Sequence, residues 1–161
     1  DCARRGDAAG ARRVLEMATA AGARPGADLF TAVADAYAGI GDTAGVQACF
    51  DAMAAARLRP DLVACTASVK ACARRGDAAG ARRWLEQVLA RGWSPDLVAY
   101  TEVVNAHAKA GDAAGARQWL ERATEAGVTP NVRTYTAVID ACGRNGDVEG
   151  AETWLVRAAA A

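Results

Sequence analysis

The sequence lacks the residue patterns that mark several large classes of protein. Its five cysteines are an odd number without paired close spacing, and it has a single histidine. Such a set fits neither a disulfide framework nor a zinc site, so we expect a reducing compartment and no metal or other cofactor. No apolar run approaches the roughly 20 residues that span a bilayer, and no signal peptide is visible. A membrane partner is therefore not expected.

Net charge and aromatic residues are also scarce. Nineteen cationic residues cancel nineteen anionic ones, and only 6% of the chain is aromatic. No overall field draws the chain toward nucleic acid, although binding also depends on where individual charges lie. Hydrophobic residues are abundant, at 52%, and much of that share is alanine. Because alanine is the strongest helix former, the composition predicts an all-α protein.

The few prolines are strictly periodic. There are four, each 35 residues after the last, at Pro25, Pro60, Pro95 and Pro130. A fixed period of this kind marks a repeat array. If each unit starts two residues after its proline, the array over 1–161 has a partial repeat at 1–26, complete repeats at 27–61, 62–96 and 97–131, and a near-complete repeat at 132–161. Because the chain begins in mid-repeat, we expect the natural protein to continue beyond Asp1.

Each unit has the pattern of two helices. In the unit 62–96, apolar residues recur at i, i+3, i+7 and i+10 from Leu62, which places them on one face of a helix. The next two units repeat this spacing from Leu97 and Val132. A second stripe follows in each unit, at Ala81, Trp84, Leu85 and Val88, at Ala116, Trp119, Leu120 and Ala123, and at Ala151, Trp154, Leu155 and Ala158. A single hairpin cannot bury both stripes, so neighbouring hairpins must stack into a solenoid.

Glycine and aspartate mark the boundaries of these helices. A Gly-Asp pair separates the two helices of each unit, at residues 6–7, 41–42, 76–77, 111–112 and 146–147. Glycine suits the left-handed residue that ends a helix, and aspartate accepts hydrogen bonds from the free amides of the next helix. Another glycine follows three residues later, at Gly10, Gly45, Gly80, Gly115 and Gly150. Because glycine weakens a helix, this recurrence suggests that backbones approach closely there.

These features resemble the pentatricopeptide repeat family, whose 35-residue unit ends in Gly-x-x-Pro-Asp or close to it. The matching segments are GWSPD at 92–96, GVTPN at 127–131, and the Tyr-Thr pairs at 100–101 and 135–136. The segment RLRP at 57–60 departs from the pattern because it lacks the glycine. The resemblance implies a right-handed α-solenoid of helix-turn-helix repeats. The tetratricopeptide repeat is the nearest alternative, but it has a period of about 34 residues and a Trp-x-x-Leu-Gly-x-x-Tyr opening that this chain lacks.

The resemblance implies that each repeat reads one base of single-stranded RNA. It assigns base reading to the fifth and last residues of each unit, which are Thr31 with Asp61, Thr66 with Asp96, Thr101 with Asn131, and Thr136 without a partner. In the family, threonine with aspartate tends to select guanine and threonine with asparagine adenine, so the implied preference is 5′-GGA-3′ followed by a purine. From the residues alone, the aspartates and the asparagine could equally be helix N-caps, and the threonines could bond the backbone.

Two further rows of equivalent residues could contact RNA. The resemblance assigns base sandwiching to Val63, Val98 and Arg133, and the same position in the first complete unit is Asp28, whose short carboxylate stacks poorly. A cationic row, interrupted at Gly39, contains Arg4, Arg74, Lys109 and Arg144. These cations could contact phosphate, or could equally be favoured by the helix dipole near a C-terminus.

Catalysis has little support in the sequence. His107 shares the register of Tyr37, Cys72 and Cys142, so we predict a packed core histidine. The chain also lacks the His-x-Glu and Cys-x-x-Cys motifs that an appended deaminase domain would need. A non-enzymatic protein is therefore expected.

Two functional hypotheses follow. The resemblance implies a binder of single-stranded RNA that acts in RNA stabilisation, processing or translation in a mitochondrion or chloroplast. The second hypothesis is an architectural component of a larger assembly, such as an organellar ribosome, in contact with ribosomal RNA or other proteins, or else a tetratricopeptide-like scaffold that binds protein. Neutral net charge and only three complete units favour the second somewhat.

Overall fold

A computed structural model describes residues 10, 13, 17 and 26–160 of the chain. Within 26–160 it contains eight α-helices and no strand. They are α1 (Ala27–Ile40), α2 (Thr43–Ala55), α3 (Leu62–Arg75), α4 (Ala78–Ala90), α5 (Leu97–Lys109), α6 (Ala113–Glu125), α7 (Val132–Arg144) and α8 (Val148–Ala160). The all-α prediction is confirmed. None of these helices is long and apolar enough to cross a membrane.

The helix boundaries form at the glycines and aspartates that the sequence indicates. The glycines that follow α1, α3, α5 and α7 all have left-handed backbone, with φ from 71° to 77°. The next residue is an aspartate, which accepts a hydrogen bond from the amide three residues on; Asp77 Oδ1 lies 2.8 Å from Gly80 N. Asp42, Asp112 and Asp147 form the same cap on α2, α6 and α8. The predicted helix ends and caps are confirmed at these four pairs, and the pair at residues 6–7 lies outside the described residues.

The junctions between units also use left-handed residues. Gly92 and Gly127 have φ of 73° and 77° after α4 and α6. After α2 the glycine is missing, and Arg57 takes the left-handed conformation instead, with φ of 57°. That conformation costs a residue with a Cβ roughly 1–2 kcal/mol. The junction geometry is therefore kept even where the sequence does not favour it.

Stacking of the helix pairs creates a continuous core. The helices α1, α3, α5 and α7 pack side by side, and each second helix packs against its own first helix and the first helix of the next unit. The predicted stripes supply much of the buried surface, including Cys65, Val69, Leu85 and Leu120. Each hairpin is therefore stabilised mainly by its neighbours, as expected of a solenoid.

The stripe prediction is wrong at two positions in the last helix pair. Val132 is 81% exposed and Leu155 is 60% exposed, whereas Leu85 and Leu120, the counterparts of Leu155, are almost fully buried. In the interior of the array, a first helix of the following unit packs against this side. No described residue lies beyond α8 to take that place.

The recurring glycine of the second helices makes room for side chains. A methyl group on Gly115 would overlap Asp112 Oδ2 and His107 Nδ1, and one on Gly45 would overlap the ring of Tyr37. One on Gly80 would overlap Asp77 Oδ2 and lie 2.9 Å from Cys72 Sγ. The prediction of close backbone approach is therefore wrong. The glycine accommodates the capping carboxylate and a side chain from the end of the first helix.

Candidate nucleic-acid interface

The first helices each carry one stripe of equivalent residues, most of which are exposed or half-buried. We call the second, fifth, ninth and thirteenth residues of each unit the first-helix stripe, because their spacing places them on one helical face. On α3 the stripe is the exposed or half-buried set Val63, Thr66, Lys70 and Arg74, in a helix whose remaining central residues are buried. On the other first helices it consists of Asp28, Thr31, Asp35 and Gly39, of Val98, Thr101, Asn105 and Lys109, and of Arg133, Thr136, Asp140 and Arg144.

The structure brings the first predicted base-reading pair together. The Oγ1 of Thr31 donates to Asp61 Oδ1 at 3.5 Å. The same oxygen accepts from the backbone amide of Ala64 at 2.8 Å and so caps α3. Thr31 is only 8% exposed. In this unit both predicted residues are thus engaged with the protein itself.

The second pair is more accessible. Thr66 is half-buried, and its hydroxyl donates to the carbonyl oxygen of Leu62 at 2.8 Å within α3. Asp96 is exposed and caps α5 by accepting from the amide of Ala99 at 2.9 Å. One carboxylate oxygen of Asp96 makes that cap, and no hydrogen bond joins the other to any residue in the described range. The helix cap by Asp96 and the backbone hydrogen bond by Thr66, which the sequence analysis gave as alternatives to base reading, are therefore both present.

The third pair is joined through a residue that the sequence did not single out. Thr101 is 4% exposed, and its Oγ1 lies 2.9 Å from the Oγ1 of Thr134. Thr134 donates its hydroxyl hydrogen to Asn131 Oδ1 at 3.0 Å, so Thr101 must be the donor between the two threonines. Asn131 Oδ1 also accepts from the amide of Thr134. The only sign of these linked hydrogen bonds in the sequence is that Thr134 replaces the alanine found in the two preceding units.

The last predicted threonine and the predicted sandwiching row are exposed. Thr136 donates to the carbonyl oxygen of Val132 at 2.8 Å on the surface of α7. Val63 and Val98 are 59% and 55% exposed, which is unusual for valine in a well-packed helix. The side chain of Arg133 is 72% exposed and lies 4.0 Å from Glu102. Asp28 is exposed as well.

The cationic row is partly engaged with backbone carbonyls. Lys109 Nζ donates to the carbonyl oxygen of Ala73 at 3.1 Å, and Arg144 donates to that of Ala108 at 3.4 Å. Each cation thus satisfies the C-terminus of the preceding first helix as well as lying near its own, which is a favourable place for positive charge. Arg74 is exposed, and no hydrogen bond or ion pair joins it to another described residue. Arg4 lies outside the described residues.

An ion pair within the stripe was also missed from the sequence. Lys70 Nζ lies 2.8 Å from Asp35 Oδ1, which joins the ninth residues of two neighbouring units. Both side chains are partly exposed, so the pair adds little to stability. Because Lys70 is paired with Asp35, it is not a free cation for phosphate near the first complete unit.

The single histidine lies in the core as predicted. His107 is 7% exposed, and its Nδ1 lies 2.8 Å from Asp112 Oδ2. The amide of Gly115 and then this histidine hold the pKa of the Asp112 carboxyl below its usual range. His107 Nε2 is buried without a hydrogen-bond partner among the described residues. No group of three metal-binding side chains exists in the described part of the chain.

Comparison with known proteins identifies the repeat. The pentatricopeptide repeat domain family matches residues 83–145, and a tetratricopeptide repeat family matches residues 1–17 and 63–87. A search of curated proteins gave no significant match. The 35-residue period holds through all four prolines and favours the first assignment over the second. Residues 83–145 are therefore similar to the pentatricopeptide repeat domain.

Solved pentatricopeptide repeat structures have the same fold. The pentatricopeptide repeat domain of Arabidopsis thaliana protein-only RNase P 1, solved with tRNA, superimposes with a TM-score of 0.81 at 19% identity over 98% of this chain and 83% of that one. Maize PPR10 superimposes with a TM-score of 0.78 at 21% identity over 98% of this chain, which spans 23% of PPR10. PPR10 in complex with an 18-nt psaJ RNA element matches equally well, at 22% identity over 91% of this chain and 22% of that one. The predicted solenoid is thus confirmed.

Proposed function

We propose that this protein binds single-stranded RNA along the first-helix stripe, with one repeat per base. The observation that carries the proposal is that every complete unit has a threonine as its fifth residue and a capping Asp or Asn as its last, so that both recur every 35 residues along the stacked helices. The RNA complex of the neighbour PPR10 supports this use of the fold. We further propose that the chain forms one array with the unit boundaries given above.

The hydrogen-bonding groups suit the proposed preference, 5′-GGA-3′ followed by a purine. The free carboxylate oxygen of Asp96 can only accept, which fits the N–H groups of a guanine edge. Asn131 Oδ1 is occupied by two hydrogen bonds from Thr134, which leaves the Asn131 amide to donate. A donor there fits the N1 acceptor of adenine. Thr101, whose hydrogen is committed to Thr134, retains only its acceptor capacity.

The first complete unit should contribute least to binding. Asp28 places an exposed carboxylate on the stripe of α1, at the position where the next two units have valine. Carboxylates repel RNA phosphates. Val63 and Val98, by contrast, offer exposed apolar surface beside the second and third base positions. We therefore expect the central two units to dominate base selection.

A titration of short single-stranded RNAs tests the proposal. GGA-containing RNA should bind more tightly than a pyrimidine version, and Thr66→Asn should move the central preference from guanine toward uracil. Thr124→Asn is the matched control, because Thr124 makes the same bond to the carbonyl four residues earlier but lies on α6, off the stripe. Equal binding of all sequences by the native protein would disprove base reading.

We also propose a non-enzymatic role in RNA stabilisation, processing or translation in a mitochondrion or chloroplast. A structural neighbour, proteinaceous RNase P 2 of Arabidopsis thaliana, is described as nuclear, with a TM-score of 0.79 at 17% identity over 97% of this chain and 35% of that one. The location therefore needs its own measurement, with a fluorescent fusion of the full-length protein. The second candidate is an architectural part of an RNA–protein assembly, which the neutral net charge favours. RNA binding that has the same affinity for every sequence, and whose affinity falls as the salt concentration rises, would support this second candidate.

A further inference from the structure

A basic cleft with an indole wall lies where the first two complete units meet. It has a volume of about 520 Å³ and is lined by Arg59, Pro60, Arg91 and Trp93. None of these four lining residues is acidic. Arg57, held exposed on its left-handed backbone, belongs to the same loop as Arg59.

Two interactions hold the walls of the cleft in place. The guanidinium of Arg91 lies 5.2 Å from the centroid of the Trp93 ring, and its NH1 lies 3.4 Å from Cys65 Sγ. Trp93 is half-buried and packs against the core that includes Cys65 and Val88. The indole is thus anchored on one side and contributes to the cleft on the other. A flat side chain and a cation are preorganised there.

The cleft is not a consequence of the repeat framework. One unit later, Ser94, Ala126 and Val128 occupy the positions of Arg59, Arg91 and Trp93. Helix α6 ends and α7 begins equally well without an arginine or an indole there, because the turn depends on the left-handed Gly127 and on the Asn131 cap. The arginines and the indole are therefore additional to what the fold needs.

The position of the cleft links it to the first-helix stripe. Pro60 directly precedes Asp61, and Trp93 lies three residues before Asp96, so the cleft opens beside the N-terminal ends of α3 and α5. Lys70 and Arg74 lie toward the opposite end of α3. Cations therefore flank the predicted base-reading positions at both ends of this helix.

We propose that the cleft binds a nucleotide of the RNA, with its base stacked on Trp93 and its phosphate contacted by Arg59 and Arg57. This inference rests on the proposed RNA binding and adds a contact outside the stripe. Aromatic side chains stack on any base, and arginine contacts phosphate without reading sequence. The cleft should therefore raise affinity for every RNA without changing the base preference. An acidic protein segment is the competing occupant, but its carboxylates would leave the indole unused.

Substitutions to the residues found at the equivalent positions of neighbouring units test the cleft. Arg59→Ser introduces the residue found one unit later at position 94, and Trp93→Leu the residue found one unit earlier at position 58. The matched controls are Thr129→Ser, two units after Arg59, and Val128→Leu, one unit after Trp93. We expect Arg59→Ser to weaken binding of every RNA by about 3- to 10-fold and to lower the salt slope by about 0.7. Trp93→Leu should weaken it by about 5- to 10-fold and remove part of the tryptophan quenching on RNA addition. The controls should change affinity by less than about twofold.

The outcomes separate this inference from the proposed function. Unchanged affinity in both cleft variants, with the GGA preference intact, would overturn the cleft and leave base reading in place. Weaker binding in the cleft variants without any base preference would support the cleft and overturn base reading. Circular dichroism melting of Trp93→Leu shows whether weaker binding reflects unfolding, and in that event Arg59→Ser decides. Polyglutamate that displaces RNA from the native protein but not from Arg59→Ser would assign the cleft to an acidic protein and overturn the inference.

Discussion

The two central units, 62–96 and 97–131, have matching helices and caps but hold their polar side chains differently. In the first, Thr66 bonds its own helix and Cys72 faces the second helix. In the second, Thr101 is buried against Thr134 of the following unit, and His107 replaces the cysteine and bonds Asp112. One backbone frame can therefore hold the fifth residue of a unit either near the surface or within a series of hydrogen bonds between units.

The largest difference between the two units should appear at their second-helix glycines. Gly115→Ala places a methyl group against both Asp112 and the rigid His107 ring, whereas Gly80→Ala meets Asp77 and the more adaptable Cys72 sulfur. An alanine in an open helix position would stabilise by about 1 kcal/mol relative to glycine. We expect the opposite sign here, with a loss of about 2–3 kcal/mol for Gly115→Ala and about 1–2 for Gly80→Ala.

Urea unfolding of both variants measures these free energies. The matched control is Gly143→Ala on α7, where an added methyl group would contact nothing within 4 Å. That control should be neutral or stabilising. Equal losses at Gly80 and Gly115 would show that the capping carboxylate, which the two units share, accounts for the whole effect, and that His107 adds nothing.

The difference between Thr66 and Thr101 should be intermediate in size. Substitution of Thr101 should cost more stability, and substitution of Thr66 should cost more RNA affinity. Thr101→Val removes the donor to a buried hydroxyl and should lower the free energy of unfolding by about 1–2 kcal/mol. Thr66→Val removes only a local backbone bond at a half-exposed site and should cost within about 0.5 kcal/mol. Affinity for GGA-containing RNA should fall more for Thr66→Val, because that hydroxyl is nearer the surface. A larger stability loss for Thr66→Val would contradict the difference between the units.

The helices and their ends could be predicted because their causes are local. A glycine that ends a helix and an aspartate that caps the next one each act within a few residues, so Gly76 and Asp77 could be placed from the sequence alone. The period of the prolines then implied stacking. The same logic failed at Val132 and Leu155, because burial there depends on a neighbour and not on the local pattern.

The candidate site could be predicted only in outline. The positions of Thr101 and Asn131 followed from register, but the hydrogen bonds through Thr134 depend on contact between two residues that lie 33 apart in neighbouring units. The Lys70–Asp35 pair and the cleft between Arg59 and Trp93 were missed for the same reason, since each forms from side chains of two different units. Register shows which residues share one face of a helix, and only packing shows which of them are already bonded to other parts of the protein.

The smallest expected difference is the acid sensitivity of the His107–Asp112 pair. The Asp112 pKa is lowered when folded, chiefly by the Gly115 amide and then by His107, so the unfolded chain binds more protons in acid. Its stabilising contribution is therefore present above about pH 4 and is lost as pH falls through the lower folded value. Because Asp112 is half-exposed, solvent screening limits the effect to a few tenths of a kcal/mol.

Urea unfolding of Asp112→Asn and native protein should converge as pH falls from about 6 to about 2.5. His107→Cys, which copies the central unit 62–96, should remove only the smaller part of this dependence; removal of all of it would show that the imidazole outweighs the Gly115 amide.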